Sequence, residues 1–229
     1  MALDFRVISI GALSRHDLWP HASVTNPSRT AHATTTLIRS GDRKILVDPA
    51  LPAQALVPRL SERSGLKPED IDTVFLTNFR PAHRMGLDAF DRAEWLIFEN
   101  ERERIGRQLL ARFDQEEDNQ VRRLLEYEVG LLQKTKASPD KLAEGVDLFP
   151  LPGYTPGTCG LLLGLLGDTV LVAGDAVPTI EHLEASQVLR AAFDVNQAIE
   201  SLVEAIEIAD RIVCGHDNVV TNRARRQGF

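Results

Sequence analysis

The sequence predicts an α/β protein with a core of two sheet layers and helices packed outside them. Three observations point there. Strand-like patterning opens the chain and returns after residue 146, and each stretch of it is followed by apolar residues at helical spacing. The 229 residues are 43% hydrophobic and 26% charged, which supplies one domain with a full core and is too apolar for a disordered chain. The richest apolar stretch, residues 161–173, is broken by Gly164, Gly167 and Asp168, so it reads as strand and not as a membrane span.

Residues 5–10 alternate apolar and polar positions, as a half-buried strand does. Residues 34–39 and 44–47 are two further strands joined by Ser40-Gly41-Asp42-Arg43, a hairpin signal. Between the first strand and that hairpin, residues 14–33 hold Pro20, Pro27, His16, His21 and His32 without periodicity. This predicts a long loop with surface histidines. Residues 54–64 carry a helical stripe through Leu56, Val57 and Leu60, and Gly65 is placed to stop it.

The run 73–77, TVFLT, is apolar and β-rich and ends in a polar turn containing proline, which suits a fully buried strand. A strand at 95–98 precedes a long charged segment, 99–136, where Leu109, Leu110, Phe113, Val121, Leu124, Leu125, Val129 and Leu132 recur near helical spacing. One or two helices fill it, and the charges of Glu101, Arg102, Glu103 and Arg104 read as a solvated face. Strands return at 146–151, 158–166 and 169–173, with turns at Pro152-Gly153 and Gly167-Asp168. A helical stripe through Ala198, Leu202, Ala205 and Ile206 covers 194–209, and 211–214 is a last short strand. The organisation expected is a single domain over residues 1–229 with a mainly helical insertion at about 99–140.

Net charge is -7, from 26 basic and 33 acidic residues, which argues against a dedicated nucleic-acid binder because phosphate contacts need a basic face. Arg223, Arg225 and Arg226 read as a solvated tail. Cys159 and Cys214 cannot make a disulfide framework and are expected to be reduced and packed as small hydrophobes. The opening MALDFRVISI lacks a basic leader and cleavage site, so a cytoplasmic location is the expectation. The partner expected is a small molecule, with neither nucleic acid nor membrane, and a homodimer is left open.

Four turns follow predicted strands and carry polar residues that packing does not require. They are Thr77-Asn78-Phe79-Arg80-Pro81-Ala82-His83, Pro152-Gly153-Tyr154-Thr155-Pro156-Gly157, Gly174-Asp175-Ala176-Val177 and Cys214-Gly215-His216-Asp217. This layout resembles the metallo-β-lactamase-fold hydrolases, from Thr34 to His216 and in the family's order: H-x-H-x-D-H, then G-x-T-P-G, then G-D, then G-H. The resemblance implies a four-layer αββα sandwich. It also implies a changed site. The family's first metal site uses three histidines, and the matching positions here are Asn78, Arg80 and Tyr154, none of them an adequate zinc ligand. The second site uses an aspartate, a histidine, the G-D aspartate and the late histidine, which here are Ala82, His83, Asp175 and His216.

Two imidazoles and one carboxylate with an open position suit a catalytic zinc, or a mononuclear iron or manganese site. One reading is therefore a mononuclear metal-dependent hydrolase of a small ester, thioester, lactone or amide, with its metal on His83, Asp175 and His216. In that reading Arg80 and Tyr154 act on the substrate and Asn78 and Ala82 line the pocket. The resemblance also projects Arg80 toward the place of the first metal, where its permanent charge would neutralise Asp175. The second reading is accordingly a metal-free pseudoenzyme, closed by an Arg80–Asp175 ion pair and serving as a ligand-binding or partner-docking module. Tyr154 either donates to substrate or stacks over Phe79, and Glu181 and His182 either line the pocket or cap a helix.

Overall fold

Strand β3 (Arg43–Val47) is buried on both faces, because alternate side chains enter different cores. Leu46 joins an outer core, while Ile45 and Val47 join an inner one. The same division runs through β4 (Thr73–Leu76), where Val74 and Leu76 face outward to helices and Phe75 faces inward. In β10 (Asp168–Gly174), Val170 and Val172 point to the inner core and Leu171 and Ala173 to a third one. Double-faced burial is what makes these strands continuous apolar runs in the sequence.

The computed structural model describes residues 3–15, 18 and 30–226. Strands β1 (Asp4–Ser9), β2 (Thr35–Ser40), β3, β4, β5 (Glu94–Ile97) and β6 (Lys136–Ala137) form a six-stranded sheet in chain order. A second six-stranded sheet holds β7 (Lys141–Ala143), β8 (Val146–Pro150), β9 (Cys159–Leu165), β10, β11 (Arg211–Cys214) and β12 (Val219–Thr221), also in chain order. Ile38, Ile45, Phe75, Leu161, Leu163, Val170 and Val213 fill the space between the sheets. Outside the first sheet lie α1 (Ala53–Ser64), α2 (Glu99–Gln115) and α3 (Asn119–Gln133), and outside the second lies α5 (Val195–Ile208), after the short α4 (Ile180–Ala185). This is the expected αββα sandwich, with a short α6 (Arg223–Arg226) near the end.

The helices obey their local signals. Helix α1 buries Leu56 and Leu60 and ends at Gly65, whose φ of 73° is left-handed. Asp118 and Asp194 cap α3 and α5 by accepting backbone N–H bonds, from Gln120 and Val121 and from Gln197. Helices α2 and α3 pack together between β5 and β6, where the sequence predicts one or two helices. In the segment expected as a solvated tail, Arg225 is exposed and makes a surface ion pair with Asp210 at 3.6 Å. No helix of the described residues is long and apolar enough to cross a membrane. Both cysteines are free and buried, as packing predicts.

Two parallel pairs aim the functional turns. Strands β3 and β4 run parallel in one sheet, and β10 and β11 run parallel in the other. Their carboxyl ends therefore emerge at one edge, where α/β folds hold their ligands. The two sheets are tied there by Cys159 N–H donating to the Thr77 carbonyl at 2.9 Å and Thr34 N–H donating to the Gly215 carbonyl at 2.7 Å.

Candidate metal centre

Strand β3 is followed by Asp48, a buried residue with a φ of 50°, a backbone conformation that Asp tolerates better than most side chains. Its Oδ1 accepts the Thr77 N–H at 2.9 Å and its Oδ2 accepts the Thr77 hydroxyl at 2.7 Å. The same Oδ2 lies 3.0 Å from His83 Nδ1. Asp48 thus joins the ends of β3 and β4 and orients the His83 ring, which stands on a 3₁₀ turn, Pro81–His83. The opposite edge of that ring places Nε2 2.7 Å from Asp175 Oδ2.

His216 mirrors this arrangement after β11. Its Nδ1 lies 2.9 Å from the His32 carbonyl oxygen, and its Nε2 lies 2.8 Å from Asp175 Oδ1. Asp175 follows Gly174, whose φ is 55°. A Cβ on Gly174 would fall 2.6 Å from Thr77 Oγ1, and one on Gly215 would fall 2.5 Å from the Gly174 carbonyl oxygen. Glycine immediately before Asp175 and before His216 is what lets three strand ends meet. His83, Asp175 and His216 are all buried, with ligand atoms within 4.8 Å of one another.

Charge is concentrated here. Burial alone would lower the His83 pKa, but the Asp175 and Asp48 carboxylates outweigh it and raise it to about 10. Burial would raise the Asp175 pKa, and the two imidazoles outweigh that too, holding it well below the usual carboxylate range. The donor set fits a metal ion. Each imidazole has its Nδ1 against an oxygen acceptor and its Nε2 directed at the shared carboxylate, the outer-shell arrangement that fixes a metal-binding histidine. Two nitrogens and a carboxylate oxygen suit zinc, iron or manganese.

The remaining sequence-predicted residues surround this group. Asn78 is buried, with Nδ2 donating to Asp175 Oδ2 at 2.8 Å and Oδ1 accepting the Arg80 N–H at 2.9 Å. Ala82 lines a cavity of about 250 Å³ above the histidines, together with Arg80 and Tyr154. The expected ion pair between Arg80 and Asp175 is replaced by a different contact. Arg80 is exposed and its guanidinium sits 4.7 Å from the centroid of the Tyr154 ring, while Asp175 pairs with the two histidines. The physical reason is that His83, His216 and Asn78 already supply donors to Asp175, and a guanidinium loses less hydration over an aromatic face at the rim.

Tyr154 stacks on Arg80, and the ring of Phe79 is covered by Arg84 at 4.2 Å. Burial and the Asp175 charge raise the Tyr154 pKa to about 12 against the opposing pull of Arg80, so its hydroxyl stays protonated. His182 is buried within α4, with Nδ1 2.9 Å from the hydroxyl of the capping Thr179. His32 contributes its carbonyl, while His16 and His21 lie outside the described residues.

Two functional neighbours escape the sequence reading. Asp48 shows only as an acidic residue between an apolar run and a proline. Glu101 is expected on a solvated face but is fully buried. Its carboxylate accepts the Phe79 N–H at 3.1 Å and the Gly157 N–H at 2.9 Å. It clamps the turn that bears Arg80 to the turn that bears Tyr154.

The family model of the metallo-beta-lactamase superfamily matches residues 30–216. The chain belongs to the metallo-beta-lactamase superfamily. Among solved structures, this superfamily member is similar to a Thermotoga maritima protein classed as a metallo-beta-lactamase, with 16% identity over 96% of this chain and 100% of that one, and a TM-score of 0.67. A metal-dependent hydrolase from Staphylococcus aureus shares 14% identity over 97% and 94% of the two chains, with a TM-score of 0.69. The dizinc quorum-quenching lactonase AidC shares 16% identity over 82% and 74%, with a TM-score of 0.66. No curated protein matches the sequence.

Proposed function

We propose that the chain is a hydrolase that holds one metal ion on His83, Asp175 and His216 and cleaves a small ester, thioester, lactone or amide. The observation that carries this reading is the pair of imidazoles whose Nδ1 atoms are tied to Asp48 and to the His32 carbonyl while both Nε2 atoms converge on Asp175. An ion held there supplies Lewis acidity, which brings the pKa of a water from ~15.7 to about 7. Asp48 and the His32 carbonyl keep the two rings oriented, and Asn78 fixes the position of the Asp175 carboxylate. Tyr154 and Arg80 line the cavity above them. The neutral Tyr154 hydroxyl donates to the substrate carbonyl, and the Arg80 guanidinium stabilises charge that develops on its oxygen. The fold neighbours AidC, a lactonase, and a B. thuringiensis AiiA variant with N-decanoyl-L-homoserine bound at its active site support an acyl-oxygen substrate class.

A second reading has its own support. Asp175 already accepts bonds from His83, His216 and Asn78, so the group is satisfied by protein donors alone, as a metal-free ligand-binding module requires. The test loads the purified chain with zinc, iron or manganese and assays a panel of esters, thioesters, lactones and amides. Turnover that is lost on chelation and in Asp175→Ala is expected. Absence of turnover with every ion overturns the hydrolase in favour of the binding module.

A further inference from the structure

A second cavity, of about 350 Å³, lies beside the one above the histidines. Arg80 and Tyr154 line both, so their stacked pair is the shared wall. The outer boundary is one face of α2, where Ile105, Gln108, Leu109 and Arg112 recur at helical spacing. Phe193, 59% exposed, borders the cavity where the loop before α5 meets the Tyr154 turn, its N–H donating to the Tyr154 carbonyl at 3.1 Å.

The charges of this cavity do not balance. Arg84 and Glu128 pair with each other, and Arg84 also donates through Nε to the Phe79 carbonyl at 2.8 Å. The nearby Glu101 carboxylate accepts the Phe79 and Gly157 N–H groups and also feels the Arg80 charge, but makes no ion pair with it. Arg80 and Arg112 remain as exposed cations, for which the structure records no ion pair among the described residues. The Arg80 guanidinium lies over the Tyr154 ring at 4.7 Å from its centroid, and a planar fork of N–H donors is suited to gripping a carboxylate. Along α2, apolar Ile105 and Leu109 precede Arg112, and the seven-residue step from Ile105 to Arg112 is about 10 Å. The volume falls within the range of small-ligand sites, roughly 300–1,000 Å³.

We propose that this cavity takes an apolar, carboxylate-bearing arm of the substrate, its hydrocarbon against Ile105, Leu109 and Phe193 and its carboxylate on Arg80 and Arg112. The inference rests on the hydrolase reading for the reacting group but concerns a different part of the substrate. On a chain of net charge -7, three arginines, Arg80, Arg84 and Arg112, against the carboxylates of Glu128 and the nearby Glu101 beside an apolar groove favour anions over neutral and cationic ligands of the same shape.

The test titrates octanoate, octanamide and octylammonium into the ¹⁵N-labelled chain with chelator present, and reads amide shifts around α2 and the Tyr154 turn. Octanoate is expected to bind about tenfold more tightly than octanamide, with octylammonium weakest. In the double variant Arg80→Gln/Arg112→Gln the gap between octanoate and octanamide is expected to close to within about threefold. Phe193→Ala is expected to weaken both probes equally. Equal affinity for octanoate and octanamide in the wild type, or a preference that survives in the double variant, overturns the proposal. Because the titration reads neither an ion nor turnover, failure of hydrolysis leaves it standing, and loss of the carboxylate preference leaves the hydrolase standing.

Discussion

At the floor of the site His83, Asp175 and His216 are buried and joined by hydrogen bonds, whereas at the rim Arg80 is exposed and rests on the ring of Tyr154. The floor is held from below by groups that belong to strand ends: Asp48 after β3, Thr77 after β4 and the His32 carbonyl before β2. The rim turns are joined to each other by one buried carboxylate, Glu101 at the start of α2, and are further held by Asn78, which accepts the Arg80 N–H, and by the Phe193 N–H on the Tyr154 carbonyl. The difference teaches where each half can change. A floor built from interlocking side-chain bonds tolerates little alteration, while a rim whose turns are held mainly through their backbone can exchange the exposed Arg80 side chain without disturbing the sandwich.

The sharpest way to break this contrast is to remove the clamp. Glu101→Ala leaves the Phe79 and Gly157 N–H groups buried without an acceptor, and a loss of about 2 to 4 kcal/mol is expected in urea denaturation. Stability unchanged within about 0.5 kcal/mol would show that the two turns are held by something else. Asp48→Ala strikes the floor. It strips Thr77 of two acceptors and His83 of its orienting partner, so a cost of about 2 to 3 kcal/mol is expected, together with a 10- to 100-fold weaker affinity for zinc measured by competition with a chelating dye. Weaker folding with zinc affinity intact would separate Asp48 from the metal site. Arg80→Ala should matter least to folding, by less than about 1 kcal/mol, because an exposed cation over an aromatic ring contributes little. A loss of about 3 to 5 kcal/mol would instead indicate a buried partner such as Asp175.

The same contrast explains what the sequence makes legible. The sandwich is readable because β3, β4 and β10 are buried on both faces, so their apolar runs stand out with glycine or proline close behind. Asp175 and His216 are readable through the resemblance, in whose G-D and G-H motifs each follows a glycine that the close packing of strand ends requires. Asp48 is not, since its role comes from contacts with Thr77 and His83 far along the chain. Glu101 is hidden by its neighbours: in a charged helix, one buried carboxylate looks like its exposed companions until the turns that cover it are placed. The direction of Arg80 is likewise a matter of rotamer and competition, decided by donors that already surround Asp175.

The most direct test is metal stoichiometry. The chain is dialysed against zinc, iron and manganese in turn and the bound metal measured by mass spectrometry, in parallel with Asp175→Ala and His216→Ala. One ion per chain in the wild type, reduced to below about a tenth in both variants, is the expected result for a single centre built on two imidazoles and one carboxylate. A wild-type chain that retains no ion, or one that binds two, would contradict it.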